Sequence, residues 1–533
     1  TLTGTSISLI GSGVFDRSLR TDDYAAFIQD DFKLSERLTL NLGLRFDLFT
    51  FPRDARGRVV NFIPEQYRTG GPPNGFVQAA GGALDGVPTV GAALVEADKN
   101  NFSPRVGFAY RLTDSGRVGV RGGYGIYYDR PSTRLVNTQL LNYPYFALGF
   151  GLVAPVGSPV FRPLSNPFVN LPPPGQFPVA ATIPSPLSPL APVVGLPIVG
   201  LFVDQDMRTP YVQQYNLNVQ YEFVKDWLLE VGYVGAKGTK LLQVATLNQQ
   251  TYNPATGRFN PPPFPFLSTN RNVAGGIQQV RADGNSKYNS LQISVTKRLS
   301  RRLQLLSAYT LGKSVDTHSG TGFSDINTVP GDQFDLSTNK GPSDFDRRHR
   351  FITSFVYDLP KLNTASALVR ALFNNYQING IVTLQTGTPF SIVESNGTSV
   401  IQRANFAQGF SGRVETGNTD PAGFFFNPAA FTRSTLFLTG TTRNPNFDPA
   451  APYGNTARNF LYGPGQKNVD FAIVKFLPLR EGRRGEFRTE FFNIFNFANF
   501  ANPVNNVLSP LFGKSISTSS GPRVIQFAFK LNF

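Results

Sequence analysis

The sequence contains no cysteine, one tryptophan, one methionine and two histidines in 533 residues. Without cysteine there is no disulfide framework, thiolate nucleophile or Cys-based metal site. The histidines, His318 and His349, are far apart and lack metal-ligand spacing. They read as loop residues rather than parts of a catalytic triad. No run of 18 uncharged apolar residues occurs, although 41% of the chain is hydrophobic, so a helical membrane span is excluded. No glycine-rich loop follows a strand and opens a helix, and no carboxylate pair stands apart. Enzyme chemistry is not visible, and no cofactor is implied.

What the chain does contain is 48 Phe, 19 Tyr, 51 Gly and 41 Pro, a composition of strands, turns and aromatic girdles rather than helices. Its net charge is +15. The lysines and arginines are scattered among strand ends and loops without a basic helix or nucleic-acid motif, which argues against nucleic acid. The charge reads as facing anionic lipid or a polar lumen.

Residues 523–533 (RVIQFAFKLNF) alternate, with Ile525, Phe527, Phe529, Leu531 and Phe533 on one face and Gln526, Ala528, Lys530 and Asn532 on the other. Eleven residues at roughly 3.3 Å span about 36 Å, or roughly 25 Å at a tilt of about 45°, the height of an outer-membrane apolar band. On this segment alone, an edge strand of a soluble sandwich fits equally well. Residues 38–48 alternate more cleanly still, with Leu38, Leu40, Leu42, Leu44, Phe46 and Leu48 opposed to Thr39, Asn41, Gly43, Arg45 and Asp47. Residues 24–33 form its hairpin partner. The same unit recurs at 106–112 with 118–128, 215–223 with 227–233, 291–295 with 303–311, 351–357 with 376–384, and 469–473 with 487–497.

Long connections separate these hairpins, at about 50–101, 129–210, 238–287, 313–348, 387–466 and 498–522. Such loops are foreign to a compact soluble domain. They suit an outer-membrane barrel, whose extracellular loops are long and periplasmic turns short. The expectation is therefore an all-β, transmembrane antiparallel barrel of about thirteen strands, or about fourteen if residues 5–10 add one, ending in the periplasm of a bacterial cell at Phe533.

Candidate sites follow from that geometry. Phe527, Phe529, Leu531 and Phe533 form an outward stripe suited to an assembly signal for the barrel-assembly machinery. Arg45, Asp47, Arg121, Glu222, Glu230, Arg488 and Glu490 point inward; they either line a polar pathway or satisfy one another in a network that holds the barrel together. The Pro-rich stretch 154–197 is either a stiff ligand-contacting loop or one that packs over the mouth. Residues 344–350 (DFDRRHR) read as a local ion-pair network at the rim.

Several stretches, in order along the chain, resemble the TonB-dependent receptors of the Oar-like type found in soil Gram-negative bacteria. They are YAAFIQDDFKLSERLTLNLGLRFD (24–47), NFSPRVGFAYR (101–111), PYVQQYNLNVQYEF (210–223), YNSLQISVTKRLSRRLQLLSAYTLGKSVD (288–316), DFDRRHRFITSFVYDLP (344–360), GPGQKNVDFAIVKF (463–476) and FRTEFFNIFNFANFANP (487–503). The resemblance implies a 22-stranded barrel preceded by a plug, a carboxypeptidase-regulatory-like domain and a TonB box. It implies passage of a large ligand across the outer membrane, driven by the TonB complex, with lipopolysaccharide and other outer-membrane lipid around the wall. None of the front parts is visible and the sequence begins at Thr1 without a signal peptide. The expectation is that 1–533 is the carboxy-terminal portion of such a barrel, about 14 of 22 strands, without its plug. A structural or adhesive surface barrel is the rival reading.

Overall fold

The computed structural model describes the chain except residues 1–5, 14–15, 17, 69–73, 131–141, 143–144, 154–200, 265–277, 320–330, 364–365, 396–401, 411–413, 416–422, 440, 480–482 and 533. Thirteen strands form one antiparallel meander: β1 (Asp23–Lys33), β2 (Leu38–Phe49), β3 (Asn101–Arg111), β4 (Val118–Tyr128), β5 (Tyr211–Val224), β6 (Trp227–Thr246), β7 (Gln278–Ser300), β8 (Leu303–Asp316), β9 (His349–Asp358), β10 (Tyr376–Gln385), β11 (Gln466–Pro478), β12 (Arg484–Phe492) and β13 (Val524–Asn532). Each pairs with the next, and among the described residues β1 and β13 have no further strand beside them, so the sheet is an open wall. Leu201–Val203 adds alongside β7, and Gly341–Pro342 alongside β8.

The connections alternate in length, as the sequence suggests. At one end the turns are tight because their residues accept left-handed backbone. Arg301 and Arg302 both have positive φ, 47° and 70°, the signature of a primed two-residue hairpin. Gly116 (φ 70°) and Asp226 (φ 69°) serve the same purpose between β3 and β4 and between β5 and β6. At the other end the chain makes its long excursions.

Three strand boundaries differ from the sequence reading. Strands β6 and β7 continue to Thr246 and back to Gln278, so the connection is 247–277 rather than 238–287. Register shifts between Gly238, Leu241 and Gln243 break the alternation without breaking the pairing. Strand β12 ends at Phe492, and Phe495 and Phe497 lie beyond it. Asn493 (φ 51°) turns the chain there, and its side-chain amide clasps the Phe497 backbone N–H and C=O. Residues 6–13 do form a strand, but it pairs with Phe146–Val153 outside the main sheet.

The distribution of apolar residues is inverted relative to a soluble sandwich. Large side chains on the strands are exposed, including Leu42, Val106, Tyr124, Leu217, Val219, Tyr233, Leu291, Phe527 and Phe529. The three buried clusters lie largely in the long connections. One gathers Val60, Phe62, Phe76, Phe202 and Phe264; a second Phe51, Val59, Leu94, Met207, Val244 and Val280; a third Phe390, Ile392, Phe426, Phe431, Leu461 and Phe512. A wall greasy on its surface, carrying loops with cores of their own, is what a sheet solvated by lipid on one face requires.

Candidate functional site

Because side chains alternate across a strand, pairing fixes which residues share a face. Following the register from β2 to β13 places Arg45, Asp47, Arg121, Glu222, Glu230, Arg488 and Glu490 on one face of the wall. Phe527, Phe529 and Leu531 lie on the opposite face with Phe487, Phe471 and Leu217. Phe533 falls outside the described residues, as does the Pro-rich stretch 154–197.

Most of the seven polar-face residues are engaged. Arg45 forks onto the nearly buried Asp47, with Nε–Oδ1 at 2.9 Å and Nη2–Oδ1 at 2.7 Å. Glu230 accepts from Gln220 Nε2 at 2.5 Å on β5 and from Ser294 Oγ at 3.2 Å on β7, tying three strands together. Arg488 pairs with Glu486 and reaches toward Glu490 at 3.9 Å. Glu222 accepts from the backbone N–H of Asp226 in the adjacent turn. Arg121 is exposed and has neither ion pair nor hydrogen bond among the described residues. Its cross-strand neighbours are Ala109 and Asn218.

The sequence reading missed the texture of this face. Gln214, Asn216, Asn218 and Gln220 form a polar row on β5, flanked by Gly123, Gly125 and Gly232 on neighbouring strands. A Cβ at Gly232 would sit 2.0 Å from Asn218 Oδ1, so glycine is what lets that side chain lie flat over the next strand. Arg105 lies over the Tyr127 ring at 4.7 Å on the same face. The signal was present in QYNLNVQ (214–220), where polar and apolar residues alternate without a break.

At the long-connection end, the 344–350 segment does form a network, but with distant partners rather than its own arginines. Asp344 accepts from Arg458 Nη2 at 3.0 Å and from Asn459 Nδ2 at 2.5 Å. Asp346 accepts from the Ser314 N–H at 2.6 Å and the Tyr462 hydroxyl at 2.9 Å. Arg458, almost fully buried, also binds Asp316 at 2.6 Å. Burial and the bond to Asp346 push the Tyr462 hydroxyl up to about 12. Burial holds the Arg403 guanidinium below its ordinary value; it donates to Asn339 Oδ1 and the Thr338 carbonyl beside this cluster. Nothing periodic in the sequence marks Arg458. His349 is not a loop residue but opens β9, its Nδ1 2.8 Å from the Tyr309 hydroxyl.

A polar face opposed to a continuous apolar one, with short turns at one end and folded connections at the other, defines an integral membrane barrel wall. A family model described as outer membrane beta barrel domain matches residues 1–526, and the chain belongs to that family. Its place is the bacterial outer membrane. Among solved structures it is similar to the outer membrane transporter YddB from Escherichia coli (10% identity, TM-score 0.44, covering 96% of this chain and 44% of that one). It is also similar to the pyoverdine receptor FpvA from Pseudomonas aeruginosa PAO1 (11%, 0.42, 97% and 43%) and to the siderophore receptor PirA from Acinetobacter baumannii (10%, 0.41, 96% and 45%). The chain thus spans less than half the length of each of these. No curated protein matches it.

Proposed function

We propose that the chain is the carboxy-terminal portion of the barrel wall of a TonB-dependent transporter, which carries a large ligand across the outer membrane. The observation that supports this reading best is the polar face. It is smooth where Asn and Gly alternate, and beside the charges that satisfy one another it carries exposed Arg121, which has neither ion pair nor hydrogen bond among the described residues. Such a surface suits a water-filled passage. The edge strands β1 and β13 are then where further strands of the full protein join, and the plug and TonB contact belong to that full protein. Arg45, Asp47, Glu222, Glu230, Arg488 and Glu490 hold the lumen wall in shape, and Arg121 meets what passes. The long connections capture the ligand, and Phe527, Phe529, Leu531 and Phe533 are the stripe read by the barrel-assembly machinery.

The test uses cells expressing the full-length protein with and without the segment that precedes this wall. Deleting that segment is expected to open the lumen and make cells sensitive to antibiotics too large for general porins. Unchanged permeability, with the barrel still inserted, would overturn the transport reading in favour of a structural or adhesive surface barrel.

A further inference from the structure

The outward, apolar face carries lysines at both ends of the strands, and the two ends treat them differently. At the tight-turn end they are satisfied internally. Lys297 Nζ donates to the Ser300 and Leu303 carbonyls at 2.7 and 3.0 Å and lies over Trp227. Lys475 Nζ donates to the carbonyls of Ala371 and Asn374 at 2.7 and 2.5 Å and lies over Tyr376. At the long-connection end they are not. Lys237 stands directly opposite Lys287, a like-charge pair that destabilises a sheet unless an anion intervenes. Lys313, Arg348 and Lys467 are exposed and have no side-chain partner among the described residues.

Lys313, Arg348 and Lys467 surround a cavity of about 770 Å³. Its floor is one cross-strand row: Tyr309 opposite Phe351, Phe351 opposite Leu384, and Leu384 opposite Lys467. Lys313 and Arg348 stand with His349 at the loop side of that floor. An apolar, aromatic floor continuous with the lipid-facing surface, edged by uncompensated cations, is complementary to an amphiphile with a phosphorylated head and acyl chains. A free phosphate would have no use for the floor, and a neutral lipid none for the cations.

We infer that this outward groove on β8–β11 binds the phosphorylated head of an anionic glycolipid of the outer leaflet, of the lipid A type. The Lys237–Lys287 pair extends the same cationic rim onto β7 and β6, the two strands that precede β8 in the sheet. The inference rests on the outer-membrane setting and on the long connections facing outward, and it is independent of any transport.

The test is binding of purified lipid A to the full-length protein, freed of lipopolysaccharide in zwitterionic detergent, read by native mass spectrometry and titration. The Lys313→Gln/Lys467→Gln variant is expected to bind about 30-fold more weakly, from two charges each worth roughly fivefold beside an anionic membrane surface. Lys313→Arg/Lys467→Arg, which keeps the charge, is expected to retain binding, as is Lys225→Gln in a distant turn. Phosphate-free lipid A should bind as weakly as the double Gln variant does lipid A, and millimolar inorganic phosphate should not compete. Three results would each overturn the inference: equal binding by the double Gln variant, equal binding of phosphate-free lipid, or displacement by inorganic phosphate, which would make this a soluble-anion site. If the double variant does not give a heat-modifiable barrel, Lys467→Gln alone supplies the comparison, with about a fivefold loss expected and no loss refuting the site.

Discussion

Two adjacent residues of β5 give the sharpest check on which face of the wall meets lipid. Val219 stands on the apolar face between Val120 and Val231, with no acid beside it in the row. Gln220 stands on the polar face, 2.5 Å from Glu230. An arginine at Val219 near mid-membrane costs about 2–4 kcal/mol, which lowers the folded-to-unfolded ratio roughly 30- to 800-fold. An arginine at Gln220 exchanges an amide hydrogen bond to the Glu230 carboxylate for an ion pair with it, so its effect stays within about 1 kcal/mol. The measurement is equilibrium urea unfolding of the full-length protein in lipid vesicles, following the heat-modifiable form. If Gln220→Arg destabilises as much as Val219→Arg, the face assignment, and with it the lumen, is wrong. Leu42 looks like the obvious site from sequence, but Asp30 of β1 lies directly opposite it on the same face and would neutralise the introduced arginine.

Replacing Arg458 with Met leaves Asp316 buried without its partner, a cost of about 3–5 kcal/mol. Limited proteolysis should then cut the connections at 317–348 or 386–465 while the barrel keeps its heat-modifiable mobility. The buried Asp54 carboxyl is raised by desolvation but held net below its ordinary 3.8 by bonds from the Arg58 side chain and the Ser18 and Arg58 backbone. That contribution is therefore complete above the ordinary value and lost as pH falls through the lower folded one. Protection of the Ser18 and Arg58 amides from hydrogen exchange, taken relative to their intrinsic rates, should fall on acidification from about pH 4 to pH 2, and Asp54→Asn should abolish the dependence. Changing Phe533 to Asp in the full-length protein should sharply reduce outer-membrane insertion; an unchanged yield of heat-modifiable barrel rules out the terminal aromatic as an assembly signal. With no native cysteine in this chain, a membrane-impermeant maleimide on intact cells should label Ala255→Cys in the 247–277 connection and spare Ser115→Cys, and the reverse pattern inverts the topology.

The strands were legible where one face is strictly apolar. Leu38–Phe49 and Val524–Asn532 are read almost to the residue, since alternation over nine to twelve positions has few competing explanations. Reading failed where register rather than alternation decides. Nothing in YAAFIQDD says that Asp30 will face Leu42, because the partner's offset enters only through pairing. The far ends of β6 and β7 were lost to bulges, and the end of β12 to left-handed Asn493, a conformation asparagine adopts readily but does not announce. On the polar face the seven charges were legible as a set. Their individual partners, Gln220 and Ser294 for Glu230 above all, come from other strands and could not be read from any one of them.

The wall and its loop layer are stabilised by different means, and β6, β7 and β8 tie into both. In the barrel band β6 and β7 present Glu230 and Ser294, hydrogen-bonded to each other on the polar face. Farther along, the same strands deliver Val244 and Val280 into the buried cluster with Phe51, Leu94 and Met207. A second tie runs from β8, where Asp316 holds Arg458 of the 386–465 connection. The first tie is apolar and insensitive to pH or salt; the second is a buried ion pair that fails outright when one member is removed. Breaking the second therefore releases one connection while the cluster on β6 and β7 keeps the rest of the layer in place, so the loops give way one at a time rather than as a lid.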